Sequence, residues 1–117
     1  MHGYLTDSIT WFGRSDYSEL AVGAQLFQEG YDVWFGNIRG SRNSRRHLSL
    51  DADCDNVDFW DFSYTEFGEY DLPAMIEGII DQNKLEDETS CKKVTYVGHS
   101  QGSIMAFYGF SQLTNAS

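Results

Sequence analysis

The sequence predicts an α/β domain, and three observations carry that prediction. The first is the run Val94-Thr-Tyr-Val-Gly-His-Ser-Gln-Gly102, a β-branched stretch that breaks at glycine and presents one serine. It restarts in a helix-compatible apolar segment, Ile104-Met-Ala-Phe-Tyr-Gly-Phe110. The second is an amphipathic stretch that stops at Gly30 and passes directly into Tyr31-Asp-Val-Trp-Phe35, helix into strand across a glycine join. The third is composition: 117 residues, 41% hydrophobic and 15% aromatic, supply one small domain with material for a core and exclude a disordered chain.

Taken in order, residues 1 to 15 read as an irregular loop. Asp16, with Glu19 three residues later, marks a helix start, and Leu20, Ala24 and Phe27 recur at helical spacing with Leu26 beside them. The first helix is therefore expected from Asp16 to Glu29. The strand Tyr31 to Phe35 ends at Gly36-Asn37. Asn37 to Asp61 has no period and is rich in Gly, Ser, Asn, Asp and Arg, which predicts a long loop of the kind that is functional or partly disordered in compact domains. From Phe62 the pattern is helical, Phe67 and Tyr70 giving way to Leu72, Ile76, Ile79 and Ile80. Asp71 is the expected cap of that second stretch, and Pro73 falls in its first turn, where a missing N–H is harmless. Asn83 to Lys93 reads as a polar loop before the strand Val94 to Val97. No internal repeat, low-complexity tract or interdomain linker interrupts the chain, so residues 1–117 read as one domain.

Charge and ligand-type residues narrow the function classes. A net charge of −10 opposes a nucleic-acid binder, which neutralises phosphates with a basic surface. Arg39, Arg42, Arg45 and Arg46 cluster in the long loop, where they are expected to be solvated or paired with carboxylates such as Asp51 and Asp53. Cys54 and Cys91 fit neither a zinc site nor a C-x-x-C motif, and their spacing leaves pairing open. Asp51-Ala-Asp-Cys-Asp55 begins like a calcium loop, but Asn56 stands where glycine is required and Phe62 where glutamate is required. No metal and no cofactor is expected. Met1-His-Gly-Tyr-Leu5 has no basic or apolar signal region, and no run is long enough to span a bilayer.

Ser100 carries the chemistry. In a G-x-S-x-G nucleophile elbow the serine is held in a strained conformation that brings neighbouring chain very close, and Gly98 and Gly102 lack the Cβ that would obstruct this approach. A serine hydroxyl acts as a nucleophile when a base removes its proton and donors hold the oxyanion. The backbone N–H of Gln101, at the start of the following helix, is one such donor by position. His99 is read as structural, since adjacent residues on an elbow point apart. Trp11, Trp34 and Trp60 are read as core residues.

Six ordered segments, His2-Gly-Tyr-Leu5, Gly30 to Gly40, Ser44-Arg-Arg-His47, Phe59-Trp-Asp-Phe-Ser63, Glu69-Tyr-Asp-Leu-Pro-Ala74 and Tyr96 to Gly102, resemble the acid lipases, the group that includes gastric and lysosomal acid lipase. The resemblance covers nearly the whole chain. It implies an α/β-hydrolase fold, cleavage of triacylglycerols or sterol esters, and Ser100 as the acylated nucleophile. By similarity of the His-Gly loop, the backbone N–H of Tyr4 is the second oxyanion donor. The family more often has leucine there, so the ring alters the floor of the acyl pocket while leaving a backbone donor in place. His2 is expected to shape that loop, and His47 to lie in the arginine loop. A lipid ester substrate, transient contact with a membrane or lipid-droplet surface, and a lysosomal or secreted location are what the resemblance implies for the intact protein.

The resemblance also predicts what is missing. The triad runs in the order Ser, Asp or Glu, then His, and residues 101–117 contain none of the three acid or base types. Such folds generally need roughly 250 residues or more. The chain is therefore expected to be a partial α/β-hydrolase domain with its elbow at 94–102, lacking the cap and later strands, and inactive alone. The strand that should precede His2-Gly3 lies, in that fold, between the other two, so these are expected to stand apart or to form a two-stranded ribbon. Two alternatives remain: a short, catalytically dead relative serving as a binding module, and another small serine carboxylesterase or acyltransferase. The intact elbow opposes the first, and the likeness across Asn37 to Ala74 opposes the second.

Overall fold

A computed structural model describes residues 1–12, 21–54, 57–86 and 93–114. Its helices are α1 (Val22–Gln28), α2 (Val57–Trp60), α3 (Tyr64–Glu66), α4 (Leu72–Glu86) and α5 (Gln101–Thr114), with a 3₁₀ turn at Ser8–Trp11 and a π-helical segment at Phe67–Asp71 joining α3 to α4. The packing centre is the crossing of α5 over that π segment. A Cβ on Gly68 would stand 3.0 Å from the Gly109 nitrogen, and one on Gly109 would stand 2.7 Å from the Gly68 carbonyl oxygen. Only a glycine pair permits so close a backbone approach. Around it Phe67, Leu72, Met105 and Ile38 are buried together, flanked by Met1, Phe62, Met75, Ile76 and Tyr96.

The π segment explains how one helical run serves that core. Residues five apart on an α-helix point about 140° away from each other. Here the Leu72 N–H bonds the Phe67 carbonyl, and the widened turn brings both side chains to the same buried face. Pro73 follows at once, and its ring would crowd the carbonyl four residues back in a regular helix. The run starts at a capping box in which Ser63 and Glu66 satisfy each other's backbone groups. Asp71 is not the cap expected of it. The backbone continues through it without a break, so its carboxylate is free to accept from the Arg39 backbone N–H at 3.0 Å and from Arg39 Nε at 2.8 Å.

Among the described residues no β-strand forms, which corrects the expectation of parallel strands at Tyr31 to Phe35 and Val94 to Val97. A strand exists through the ladder bonds of its neighbours, and among the described residues neither run is bonded along its length to another. What stands between them is Met1-His2. The Met1 amine donates to the Val97 carbonyl, and the His99 N–H donates to the Met1 carbonyl at 3.1 Å, together one rung of a parallel ladder with Met1 opposite Gly98. On the other side the Ile38 N–H approaches His2 Nε2 at 3.4 Å. Met1-His2 thus contacts both the Val97–His99 backbone and the segment that follows Phe35. The radius of gyration, 15.6 Å, exceeds the ~13 Å of a compact chain of this length.

Other expectations shift in detail. The helix predicted from Asp16 is described from Val22, and Asp16 and Glu19 lie outside the described residues. α2 interrupts the long loop, and α4 runs into the loop predicted from Asn83. Arg45 pairs with Asp53 as expected, with its guanidinium 5.3 Å above the Trp60 ring, whereas Arg39 pairs with Asp71. Trp34 and Trp60 are not core residues but 47% and 43% exposed. Trp34 belongs to an uncovered run, and Trp60 packs on Phe59 and Arg45 at the surface. Cys54 is exposed and Cys91 lies outside the described residues.

Candidate active site

Ser100 has φ of +53°, a left-handed conformation rare for a residue with a side chain and costing roughly 1–2 kcal/mol. It immediately precedes α5 and is exposed. The surrounding backbone holds the strain in place. A Cβ on Gly98 would meet the Gly102 carbonyl carbon and the Ser103 nitrogen at 3.0 Å. One on Gly102 would stand 2.7 Å from the Met1 oxygen and 2.8 Å from the His2 oxygen. Tyr96 adds a side-chain clamp, its hydroxyl donating to the Gly102 carbonyl at 2.6 Å. Burial raises the Tyr96 phenol to about 12.

The first turn of α5 uses its donors close to home. The N–H groups of Gly102, Ser103 and Ile104 bond the His99 and Ser100 carbonyls at 2.9–3.2 Å. The Gln101 N–H has no acceptor among the described residues. It sits at the positive end of a 14-residue helix, where negative charge is stabilised.

The His-Gly loop lies against this elbow. A Cβ on Gly3 would be 3.2 Å from Ser100 Cβ and 3.0 Å from His99 Nδ1, so the Gly3 backbone and the nucleophile are neighbours. His2 is 1% exposed, with Nδ1 2.9 Å from the Gly3 carbonyl and Nε2 facing the Ile38 N–H. That pairing is satisfied by the tautomer with its proton on Nδ1. The Tyr4 N–H, like that of Gln101, has no acceptor among the described residues. Beyond Tyr4, Asp7 caps the 3₁₀ turn, and Ser8 exchanges hydrogen bonds with the Asn37 side chain, tying the loop to the segment after Tyr31 to Phe35.

Of the residues singled out from sequence, Gly98, Ser100, Gly102 and His2 lie together with Gly3, and Gln101 and Tyr4 are the next residues along the chain from Ser100 and Gly3. His99 is exposed and makes no hydrogen bond to Ser100 among the described residues. His47 serves its own loop, its Nδ1 accepting from the N–H groups of Ser49 and Leu50. Sequence reasoning passed over Tyr96 and Thr6. Tyr96 read only as a strand residue. Thr6, whose Oγ1 donates to the Gly3 carbonyl at 2.8 Å, sits at the end of a turn, a common place for side-chain to backbone bonds. The site therefore holds a strained serine and two N–H donors without an acceptor among the described residues, and no described side chain hydrogen-bonds Ser100 Oγ as a general base would.

Comparison with known proteins gives the family. Residues 1–115 match the alpha/beta hydrolase fold family. The chain is 42% identical over 112 residues to the human lysosomal acid lipase/cholesteryl ester hydrolase, covering 96% of this chain and 26% of that protein. It is 43% identical over 112 residues to lipase member M of Mus musculus, covering 96% and 24%, and 41% identical over 110 residues to human gastric triacylglycerol lipase, covering 94% and 25%. The chain spans about a quarter of the length of these relatives. An end-to-end match of this closeness is far beyond what a shared elbow alone produces, and the chain belongs to the alpha/beta hydrolase fold family.

Proposed function

We propose that this chain is the nucleophile-bearing segment of a serine lipase that hydrolyses triacylglycerols or sterol esters. The observation that carries the reading is Ser100 at φ +53° on the N-terminus of α5, with the Gly3 backbone packed against it. Ser100 Oγ attacks the ester carbonyl carbon while its proton passes to a histidine supplied by sequence beyond Ser117. The carbonyl oxygen becomes an oxyanion held by the Gln101 and Tyr4 N–H groups. Collapse expels the alcohol, which takes the proton back from the histidine, and water then hydrolyses the acyl-enzyme by the same route. An aspartate or glutamate beyond Ser117 orients that histidine. The names of the relatives support lipid esters as substrates and a lysosomal or secreted setting, and transient contact with a membrane or droplet surface is part of the same proposal.

The test compares this chain with an extended chain that includes the downstream acid and histidine, using p-nitrophenyl butyrate and a fluorophosphonate probe. The 117-residue chain should be nearly inactive, and the extended one should hydrolyse the ester and label at Ser100, with both signals abolished in Ser100→Ala. Ordinary turnover by the short chain, or labelling of the extended chain elsewhere than Ser100, overturns the reading.

A further inference from the structure

The turn Gly3-Tyr4-Leu5-Thr6 is closed in an unusual way. Leu5, a γ-branched residue, stands at φ +57°, the left-handed region that side chains disfavour. A turn of this kind is ordinarily held by the backbone N–H of its fourth residue bonding the carbonyl of its first. Here the Thr6 side chain reinforces that closure, Oγ1 donating to the Gly3 carbonyl at 2.8 Å, and His2 Nδ1 meets the same oxygen at 2.9 Å. The Gly3 carbonyl and the Tyr4 N–H are the two ends of one planar peptide unit. Two side-chain donors on the oxygen fix the plane, and with it the direction of the N–H at the other end.

We infer that Thr6 is a positioning residue for the oxyanion site: its hydroxyl, with His2, locks the Gly3–Tyr4 peptide so that the Tyr4 N–H points at the developing oxyanion beside Ser100. This inference rests on the reading of Ser100 as nucleophile. Thr6 touches neither substrate nor the reacting atoms. Its effect runs through the peptide plane, and the strained Leu5 makes that effect necessary. A left-handed leucine relaxes toward negative φ when its closing bond is removed, and such a relaxation rotates the adjacent peptides. The Thr6 hydroxyl is one of two side-chain donors on that carbonyl, and it is the one that belongs to the turn itself.

The experiment uses the extended chain and compares Thr6→Val, which keeps the branched shape and deletes the donor, with Thr6→Ser, which keeps the donor. Complete loss of one oxyanion donor costs about 10²–10³-fold in kcat; a misdirected donor should cost about 10–10²-fold. Thr6→Val should lower kcat on p-nitrophenyl butyrate by that factor with KM within about twofold. It should weaken binding of a trifluoromethyl ketone, which forms a tetrahedral adduct, by a similar factor. Thr6→Ser should restore both within about threefold. Thermal unfolding of each variant separates this from a folding defect, and Thr6→Ala is the second donor deletion should Thr6→Val unfold. Unchanged kcat in a folded donor deletion, a change in KM alone, or failure of Thr6→Ser to restore kcat overturns the role of Thr6. Hydrolysis that survives Ser100→Ala in the same chain instead removes the nucleophile assignment on which it rests.

Discussion

Gly102→Ala tests whether the elbow and the His-Gly loop are a single fitted unit. The added Cβ would lie 2.7 Å from the Met1 carbonyl oxygen and 2.8 Å from that of His2, against an ordinary contact of 3.4 Å, so one backbone must retreat by about 0.6–0.7 Å. Neither obstacle is the end of a flexible side chain. Overpacking of this kind costs about 1–3 kcal/mol. The chemical cost is larger, because the retreating loop carries the Tyr4 N–H. Widening its hydrogen bond to the oxyanion from ~2.9 Å to ~3.5 Å takes it out of the useful range. In the extended chain, kcat on p-nitrophenyl butyrate and the rate of fluorophosphonate labelling should both fall about 10²-fold, with stability to urea lowered by about 1–3 kcal/mol. Gly78→Ala is the control: nothing lies within 4 Å of its added Cβ on the exposed side of α4, and it should raise stability by up to ~1 kcal/mol without touching the rate. Gly102→Ala within threefold of wild-type labelling at unchanged stability would refute the fitted-unit argument.

Three further outcomes are expected. The isolated 117-residue chain, with Tyr31 61% and Phe107 78% exposed and unpaired strand runs, should bind 8-anilinonaphthalene sulfonate and melt without a sharp transition; a cooperative melt with dispersed amide signals would contradict this. Tyr96→Phe in the extended chain should cost about 1 kcal/mol at neutral pH by deleting the bond to Gly102. Because the folded phenol is raised to about 12 from an ordinary value near 10, its contribution is complete below pH 10 and lost as pH rises toward 12. Urea titrations at pH 8 and at pH 11.5 should therefore show the gap between wild type and Tyr96→Phe closing, and a constant gap would count against it. Asp71→Ala strips the acceptor from the Arg39 backbone N–H and guanidinium and should destabilise the extended chain by about 1–3 kcal/mol; calorimetry showing no change would remove this tie between the loop and the π segment.

The sequence by itself determined what is local. Ser100 is legible because the steric demands of an elbow are met within five residues, by Gly98 and Gly102. α5 and the buried face of α4 are legible because a helix makes its backbone bonds within its own segment, so apolar period and caps suffice to announce it. What only the tertiary structure decided is whatever needs a distant partner. Tyr31 to Phe35 and Val94 to Val97 have strand composition, yet a ladder is a relation between segments, and among the described residues neither forms one. Asp71 has the character of a cap, and it became an acceptor for Arg39, thirty-two positions earlier, because the π turn left no helix end to cap. Thr6 is an ordinary threonine in the sequence. The role proposed for it arises because the Gly3 backbone is brought beside Ser100 and because Leu5 is held where leucine does not rest. Short-range sterics can be read along the chain, whereas hydrogen bonds between segments exist only once the segments meet.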